Sequence, residues 1–316
     1  MSTTTKSPLS RPVKIACIQL LSGKDKPKNL LLAREKVLEA AQNKADIVVL
    51  PECFNSPYGC EWFDQYAEPI PPNSEREAGV VDEQKYPSFF AMRKMAIDAK
   101  VYLVAGSIPE RSKSPPKYLY NTSLTFNPQG SLIGVHRKIH LFDIDIPGKI
   151  KFTESDVLSP GHTPTVINLP PYGSIGVQIC YDIRFPELSA IYARKGAFAV
   201  VAPGAFNLTT GPLHWELLAR GRATDNQVYV AMCSPARSAD DVEGYKAWGE
   251  SMVVDPMGKV LGKADGGKEG VVYAELKPEA IENTRAGIPV TMQRRWDVYP
   301  DVSAGVERGD GLDLLE

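Results

Sequence analysis

The chain has 316 residues, of which 43% are hydrophobic and 23% are charged, an ordinary composition for a globular protein. Its formal net charge of −2 gives no electrostatic reason to expect a nucleic acid or an anionic membrane as a partner. No apolar run approaches the roughly 20 residues that cross a bilayer. The five cysteines lack the spacing of a disulfide framework, which indicates reduced thiols inside the cell.

The amino terminus, MSTTTKSPLSRP, has no apolar core of the kind that signal peptides carry. It is rich in Ser and Thr, mildly basic and free of acidic residues. We therefore predict a disordered N-terminal tail at residues 1–11 of a cytoplasmic protein. The alternative is a weak transit peptide, which would direct the protein to mitochondria as well.

Hydrophobic patterning predicts alternating strands and helices along the first half of the chain. Apolar residues at helical spacing indicate the helices, and continuous or alternating apolar runs indicate the strands. In chain order we predict a strand at 13–20, a helix at 27–44, a buried strand at 45–52, a helix at 86–100, a strand at 101–108 and a hairpin at 120–142.

The second half continues in the same way. We predict strands at 165–169 and 174–180, a helix at 186–196, a buried strand at 198–206, a helix at 214–226, a strand at 228–234, a hairpin at 249–264, a strand at 270–276 and a helix from about 278. This mixture indicates one α/β domain over residues 12–300, a layered sandwich with mixed sheets, followed by a C-terminal tail at 301–316.

Three polar residues occupy notable places in the predicted strands. Glu52 ends IVVLPE, Cys180 ends IGVQIC, and Lys138 lies in the strand GVHRKIHLF. Open α/β folds keep their sites at the carboxyl ends of strands, which makes such residues candidates. Each one also has a simpler explanation: a core cysteine, a solvated turn glutamate or a lysine on the wet face of a hairpin.

Taken together, the three residues fit a hydrolytic site. The helix that follows Cys180 would favour the thiolate through its backbone N–H groups and dipole. A nearby carboxylate could take the thiol proton as general base, and a lysine could neutralise an oxyanion.

The histidines identify neither a base nor a metal site. His136 and His140 flank Lys138, and His162 and His214 lie near Gly or Pro, so a Cys–His dyad stays possible without a motif to support it. The pair in the lysine segment lacks the acid of a zinc-binding HExxH motif, and no glycine-rich phosphate loop is present. We therefore predict no metal and no cofactor.

The segments LPECF, HRKIHLFD and ICYDIRFPE resemble, in order, the three signature segments of the nitrilase superfamily, the carbon–nitrogen hydrolases. The resemblance runs from about Lys14 to Tyr299. It implies a four-layer α-β-β-α sandwich with two mixed central sheets, and a homodimer that extends the sandwich. It also implies a catalytic triad of Glu52, Lys138 and Cys180.

The resemblance further implies a second glutamate beside the triad, matched by Glu154 in KFTESDVLSPG. Cys180 would attack an amide carbon, and Glu52 would take the thiol proton and return it to the departing ammonia. Lys138 and the Tyr181 backbone N–H would stabilise the oxyanion. Glu154 would orient Lys138, the substrate or the water.

Within the superfamily, KIHLFDIDIPGKIKFTES, PGAFNLTTGPLHWELLARGRATDNQVYVA and SPAR are most similar to the omega-amidases. That similarity implies a small-molecule substrate, the terminal amide of 2-oxoglutaramate or 2-oxosuccinamate. Deaminated glutathione amidases share CYDIRFPEL and GPLHWE and are the alternative. Nitrilases proper usually have Cys-Trp-Glu where this chain has Cys-Tyr-Asp.

An α-keto acid amide carries a carboxylate, so its pocket needs a cation or N–H donors. Arg184 is the nearest candidate in sequence, although an ion pair with Asp182 or Glu187 explains it equally well.

Further pocket candidates follow two of the buried strands. Phe206 and Asn207 come after VVAPGA, with core packing as the alternative for the phenylalanine, and Tyr58 follows the glutamate strand. Residues 142–150, rich in Pro and Gly, could form a loop that closes over substrate or an ordinary surface connection.

Two functions of other classes are also open. One is a non-catalytic scaffold or interaction protein of the same fold, against which the intact Glu52, Lys138 and Cys180 argue. The other is a cysteine protease or transferase with a histidine base, whereas the family resemblance requires no histidine in that role.

Overall fold

A computed structural model describes residues 6–79, 81–112, 118–239 and 244–315. The strands of these ranges are β1 (Val13–Gln19), β2 (Ile47–Val49), β3 (Tyr102–Val104), β4 (Ile108–Arg111), β5 (Leu119–Phe126), β6 (Leu132–Arg137), β7 (Asp143–Ile146), β8 (Ile150–Thr153), β9 (Thr165–Leu169), β10 (Gly173–Val177), β11 (Ala197–Pro203), β12 (Tyr229–Cys233), β13 (Met252–Val254), β14 (Val260–Lys263) and β15 (Gly270–Leu276). The helices are α1 (Lys26–Gln42), α2 (Cys60–Tyr66), α3 (Asn73–Glu77), α4 (Pro87–Ala99), α5 (Pro186–Arg194), α6 (Gly211–Asn226), α7 (Pro278–Gly287) and α8 (Val290–Gln293).

Most of these strands form two mixed sheets. The first has the order β15-β1-β2-β3-β5-β4, with β6 paired to β5, and the second has the order β14-β13-β12-β11-β10-β9. In each sheet three central strands run parallel and the outer strands are antiparallel. Parallel central strands are covered on both faces, which is why they are apolar throughout in the sequence.

The two sheets pack face to face and each carries helices on its outer side. Ile15, Val49, Val177 and Val201 belong to the buried cluster between the sheets. A second cluster joins the first sheet to α1 and α4, and a third joins the second sheet to α5 and α6. The arrangement is the expected four-layer α-β-β-α sandwich, because the two sheets form its centre and helices cover the outer side of each sheet.

The chain termini contribute to this body. Residues 1–5 of the predicted N-terminal tail lie outside the described residues, but Leu9 is 1% exposed and belongs to the cluster between the sheets. At the other end, Asp310 O accepts a hydrogen bond from Val135 N at 2.8 Å, and Gly309 O accepts one from Val166 N at 2.9 Å. The packed structure therefore extends beyond residues 12–300 in both directions.

One predicted connection has regular structure. Residues 142–150, for which a loop over the substrate and a surface connection were both open, form most of the hairpin β7–β8, whose strands pair from Asp143–Thr153 to Ile146–Ile150. Within the described ranges, none of the helices combines the length and the apolar character needed to cross a membrane.

Candidate active site

Four charged or nucleophilic side chains converge at one end of the two sheets. Glu52 follows β2, Lys138 directly follows β6, Cys180 begins a 3-10 turn after β10, and Glu154 begins another after β8. The predictions that Lys138 lies within a strand and that Cys180 ends one are wrong by one and three residues. In a regular strand the pleat fixes the face that each side chain occupies, so leaving the strand frees these two to turn toward each other.

Lys138 lies between two carboxylates in the protein interior. Its Nζ is 3.4 Å from Glu52 Oε1 and 2.7 Å from Glu154 Oε2. All three side chains are fully buried. A buried charge is tolerated only when it is paired and hydrogen-bonded, so this cluster holds its lysine in one position.

Cys180 has a backbone conformation that is unusual for a residue with a side chain. Its φ is +51°, in the left-handed region, which costs roughly 1–2 kcal/mol for an L-residue. The backbone of Gly204 packs against it, since a Cβ added at that glycine would lie 3.0 Å from Cys180 Cα. Strained residues of this kind are concentrated at functional sites.

Electrostatics keep the resting cysteine neutral. Burial raises the pKa of the Cys180 thiol well above its usual value, and the adjacent Glu52 adds to the shift, while Lys138 and the Ala205 N–H oppose it. The predicted stabilisation of the thiolate by the following helix is therefore wrong for the unliganded state. A five-residue 3-10 turn, Cys180–Arg184, separates the cysteine from α5, and no helix dipole offsets its burial beside a carboxylate.

The carboxyl groups and the lysine respond to the same burial in different ways. Burial raises the pKa of Glu52, an effect that Lys138 and a hydrogen bond from the Cys180 thiol partly offset. Burial alone would lower the pKa of Lys138, but Glu154 and Glu52 outweigh it and hold that pKa well above its usual value. The lysine is therefore a permanent cation beside a thiol and a carboxylate that can exchange one proton.

Two neutral donors fix the carboxylate of Glu52. Asn121 Nδ2 donates to Glu52 Oε1 at 2.8 Å, and the Ala205 backbone N–H donates to Oε2 at 2.7 Å. Neither residue was identified from the sequence, because they are 69 and 153 residues away and belong to no motif. The alternation of β5 places Asn121 on one face with Ser123 and Thr125, which predicts a polar face and gives no sign of a contact with Glu52.

Glu154 is held as firmly as Glu52. Its Oε1 accepts a hydrogen bond from the Tyr58 hydroxyl at 2.9 Å, and its Oε2 accepts one from Phe142 N at 2.8 Å. The same carboxylate pairs with Lys138, so it determines where the ammonium group lies.

A cavity of about 350 Å³ opens beside this cluster. Glu52, Tyr58, Tyr245, Trp62 and Lys24 are among the residues that line it. The ring centroids of Tyr58 and Tyr245 are 4.5 Å apart. Cys180, which is 3% exposed, lies next to Glu52.

Arg184 has no carboxylate partner among the described residues, so the alternative of an ion pair with a neighbouring acid is not observed there. Its guanidinium lies 4.7 Å from the Phe206 ring centroid and 5.5 Å from that of Tyr181. Its Nη1 donates to His214 Nδ1 at 3.1 Å, and its buried Nε has no partner in the described part of the chain. Burial lowers the pKa of Arg184.

Phe206 and Asn207, three and four residues after β11, have largely structural contacts. Phe206 is buried and packs edge-on against Trp215 at 5.2 Å. Asn207 Oδ1 accepts hydrogen bonds from Thr209 N, Thr210 N and the Thr210 hydroxyl, which shapes the turn before α6. Its Nδ2 is buried and has no partner within the described ranges.

Comparison with known proteins agrees with this architecture. Residues 14–286 match the family model described as Carbon-nitrogen hydrolase. The chain belongs to the carbon–nitrogen hydrolase family.

Several relatives are similar over almost their whole length. The chain is 50% identical to omega-amidase NIT3 of Saccharomyces cerevisiae over 299 residues, which is 94% of this chain and 98% of that protein. It is 51% identical to omega-amidase NIT2 of Danio rerio over 286 residues, or 90% and 96%. The crystal structure of Saccharomyces cerevisiae Nit3, titled a member of branch 10 of the nitrilase superfamily, matches with a TM-score of 0.81 at 46% identity, covering 92% of this chain and 100% of that one.

As a carbon–nitrogen hydrolase, the chain is an enzyme, and its histidines lie away from the reacting cluster. Among the described residues, no histidine hydrogen-bonds to Cys180; His136 and His140 bind Asp182 instead. No group of three or more His, Cys, Asp or Glu side chains in the described ranges could hold a metal ion.

In addition to Asn121 and Ala205, the sequence did not identify Tyr245 as a site residue of this carbon–nitrogen hydrolase. Its hydroxyl donates to Ala205 O, on the peptide group next to the one whose N–H holds Glu52. No motif surrounds it in the sequence. Its ring lines the cavity, which local patterning does not reveal.

Proposed function

We propose that the protein is an omega-amidase, which hydrolyses the terminal amide of small α-keto acid monoamides such as 2-oxoglutaramate and 2-oxosuccinamate to the dicarboxylic acid and ammonia. Glu52, Lys138 and Cys180 are its catalytic residues, assisted by Glu154. The buried convergence of these side chains beside a small cavity carries the proposal. Identity of about half the residues to proteins named omega-amidases supports the substrate class.

The first half of the reaction forms a thioester. The Glu52 carboxylate takes the thiol proton as the sulfur of Cys180 attacks the amide carbon, so no free thiolate accumulates. Negative charge develops on the former carbonyl oxygen, where Lys138 and the Tyr181 backbone N–H stabilise it. The C–N bond then breaks, and the proton on Glu52 passes to the leaving nitrogen, which departs as ammonia.

The second half releases the acid. Glu52, again ionised, removes a proton from a water molecule that attacks the thioester carbon. The tetrahedral intermediate collapses with cleavage of the C–S bond, and the proton returns to the sulfur of Cys180. Glu154 keeps the Lys138 ammonium in place through both halves, as its 2.7 Å contact supports.

An ammonia-release assay tests the substrate class directly. We expect kcat/KM for 2-oxoglutaramate to exceed the values for deaminated glutathione, glutamine and a simple aliphatic nitrile. The cavity volume of about 350 Å³ supports a small substrate, since it is near the lower end of the roughly 300–1,000 Å³ of ligand pockets. A preference for deaminated glutathione would instead assign the protein to that amidase class, and no release from any amide would favour a non-catalytic scaffold.

We further propose that Arg184 binds the carboxylate of the keto acid. The Arg184 guanidinium is half-removed from water, packs on Phe206 and has no partner acid among the described residues, so it is set to receive an anion. Tyr58 and Tyr181 would pack against the carbon chain of the substrate, with Phe206 behind the guanidinium. Asn207 Nδ2, which has no partner within the described ranges, would be a further donor to the substrate carboxylate.

Replacing Arg184 with glutamine should therefore raise KM for 2-oxoglutaramate by about 10- to 100-fold, the effect of losing one charged hydrogen bond. Hydrolysis of butyramide, which has no carboxylate, should change less than about threefold. The matched control is Arg220→Gln, on the exposed side of α6, which should leave both reactions unchanged. Equal losses on the two substrates would refute a carboxylate-binding role.

We also propose a cytoplasmic homodimer. Leu213 and Leu217, four residues apart on α6, are 61% and 65% exposed, and such an apolar face on an outer helix is suited to a second copy of the chain. Light scattering of the wild type and of Leu217→Lys would test it, with a monomer expected for the variant. The five cysteines are all free thiols, which supports a reducing compartment.

A further inference from the structure

A single buried carboxylate, that of Asp182, connects the segments that carry Cys180 and Lys138. It is fully buried and accepts four hydrogen bonds. Oδ1 receives the backbone N–H and Nδ1 of His140, each at 2.8 Å. Oδ2 receives Ile179 N and His136 Nε2, each at 3.0 Å. An ionised carboxylate has about four acceptor sites, so this one is saturated.

The donors are arranged symmetrically about the two reactive residues. His136 and His140 stand two positions before and two positions after Lys138, and Ile179 immediately precedes Cys180. Fixing both histidines fixes the piece of backbone from which the lysine side chain extends. Asp182 follows Cys180 and Ile179 precedes it, so the hydrogen bond from Ile179 N to Asp182 holds the backbone on both sides of the nucleophile.

The same contacts support the strained backbone at the nucleophile. Asp182 N donates to Ile179 O at 3.1 Å, while its side chain accepts from Ile179 N at 3.0 Å. The left-handed Cys180 is thus enclosed by a backbone and a side-chain hydrogen bond. A left-handed residue persists only where its surroundings over-determine it, and these two bonds supply that constraint.

The carboxylate stays charged throughout the useful pH range. Burial by itself would raise the pKa of Asp182, but the hydrogen bonds from His136 and His140 outweigh it and lower that pKa far below its usual value. On the outer side, the His140 ring stacks on Phe185 with centroids 3.6 Å apart, which limits its rotation.

We propose that Asp182 is a positioning residue for the amidase reaction: its carboxylate fastens the Cys180 turn to the two histidines that flank Lys138, and so sets the nucleophile against the lysine. The proposal rests on the function proposed above. Asp182 does not touch substrate and transfers no proton; His136 and His140 act only through it.

The variant Asp182→Asn tests this role, because its amide NH2 cannot accept hydrogen bonds and faces two donors. We expect kcat for 2-oxoglutaramate to fall at least about 30-fold while KM changes less than about threefold, since alignment rather than binding is lost. The kcat is calculated per folded molecule, with the folded fraction taken from the thermal unfolding transition. A variant that merely contains less folded protein then shows no fall in kcat.

A second measurement needs no substrate. Iodoacetamide alkylation of Cys180, followed by peptide mass spectrometry, should be nearly independent of pH between about pH 6 and 9 in the wild type, because Glu52 accepts the proton. In Asp182→Asn the rate at neutral pH should fall about tenfold and then rise with pH as for an ordinary thiol. Half-exposed Cys60 serves as the internal reference in both proteins.

His140 provides a variant pair that survives if Asp182→Asn does not fold, since its side chain is 28% exposed. His140→Asn keeps a hydrogen-bond donor where Nδ1 lies, so its kcat and its Cys180 alkylation rate at neutral pH should stay within about threefold of the wild type. In His140→Ala both rates should fall about tenfold. Wild-type kcat and a wild-type alkylation profile in Asp182→Asn, or equal behaviour of the two His140 variants, would overturn the proposal. Should the wild type fail to hydrolyse any amide, the proposed function fails, and the alkylation profiles still decide the role of Asp182.

Discussion

Replacing Cys180 with alanine is expected to abolish amide hydrolysis, by at least about 10⁴-fold, while the protein stays folded. Without the Cys180 sulfur, the reaction cannot form its thioester. Serine should be nearly as inactive, because an alcohol is far less acidic than a thiol, and the higher pKa that burial gives Glu52 does not close that gap. Ammonia release and the thermal unfolding temperature, measured on the same samples, separate lost chemistry from lost fold.

The matched control is Cys60→Ala. Cys60 is also near Glu154, yet it is half-exposed and its contact is with Thr153 O at 3.7 Å rather than with the reacting cluster. Its removal should leave kcat within about twofold. Measurable turnover in Cys180→Ala, at a rate above the buffer blank, would mean that the nucleophile has been assigned to the wrong residue.

Glu52→Gln should lower kcat by about 10²–10⁴-fold, the usual contribution of a general base. The amide cannot take the thiol proton, and its NH2 group would also face either Asn121 Nδ2 or the Ala205 N–H, both donors. Lys138 keeps its partner Glu154, so the cluster retains one ion pair and the fold should survive. Single-turnover kinetics should show that formation of the thioester, rather than its hydrolysis, is already blocked.

Glu68→Gln is the control for the loss of a buried carboxylate elsewhere. Glu68 is 6% exposed, pairs with Lys26 at 2.6 Å and is not among the residues that line the cavity. We expect it to lower the unfolding temperature without changing kcat, the reverse of Glu52→Gln. A kcat of Glu52→Gln within tenfold of the wild type would exclude Glu52 as the base.

Much of the fold follows from local patterning. The parallel strands β2 and β11 are apolar at every position because helices cover one face and the partner sheet covers the other, and this produces an unmistakable run in the sequence. Helix α1 begins after Asp25, whose side chain accepts from Lys28 N, so its start too is marked locally. Family resemblance added the number of layers, which alternation alone does not give.

The site could be predicted only where its residues belong to motifs. Glu52, Lys138 and Cys180 were identified because each has a recognisable segment around it. Asn121 and the Ala205 N–H were not, since a hydrogen bond across 69 or 153 residues leaves no local trace. The charge state of the cysteine was also mispredicted, because burial depends on neighbours from both sheets and a sequence shows only the turn that follows.

The burial of Cys180 limits which amides can reach its sulfur. Cys180 is 3% exposed and lies next to Glu52, which lines a cavity of about 350 Å³. A glutamine or asparagine on the surface of a folded protein is tethered to main chain on both sides and cannot be drawn that far inside. The enzyme is therefore expected to spare the side-chain amides of the proteome and to work on free metabolites alone, a discrimination made by access rather than by recognition.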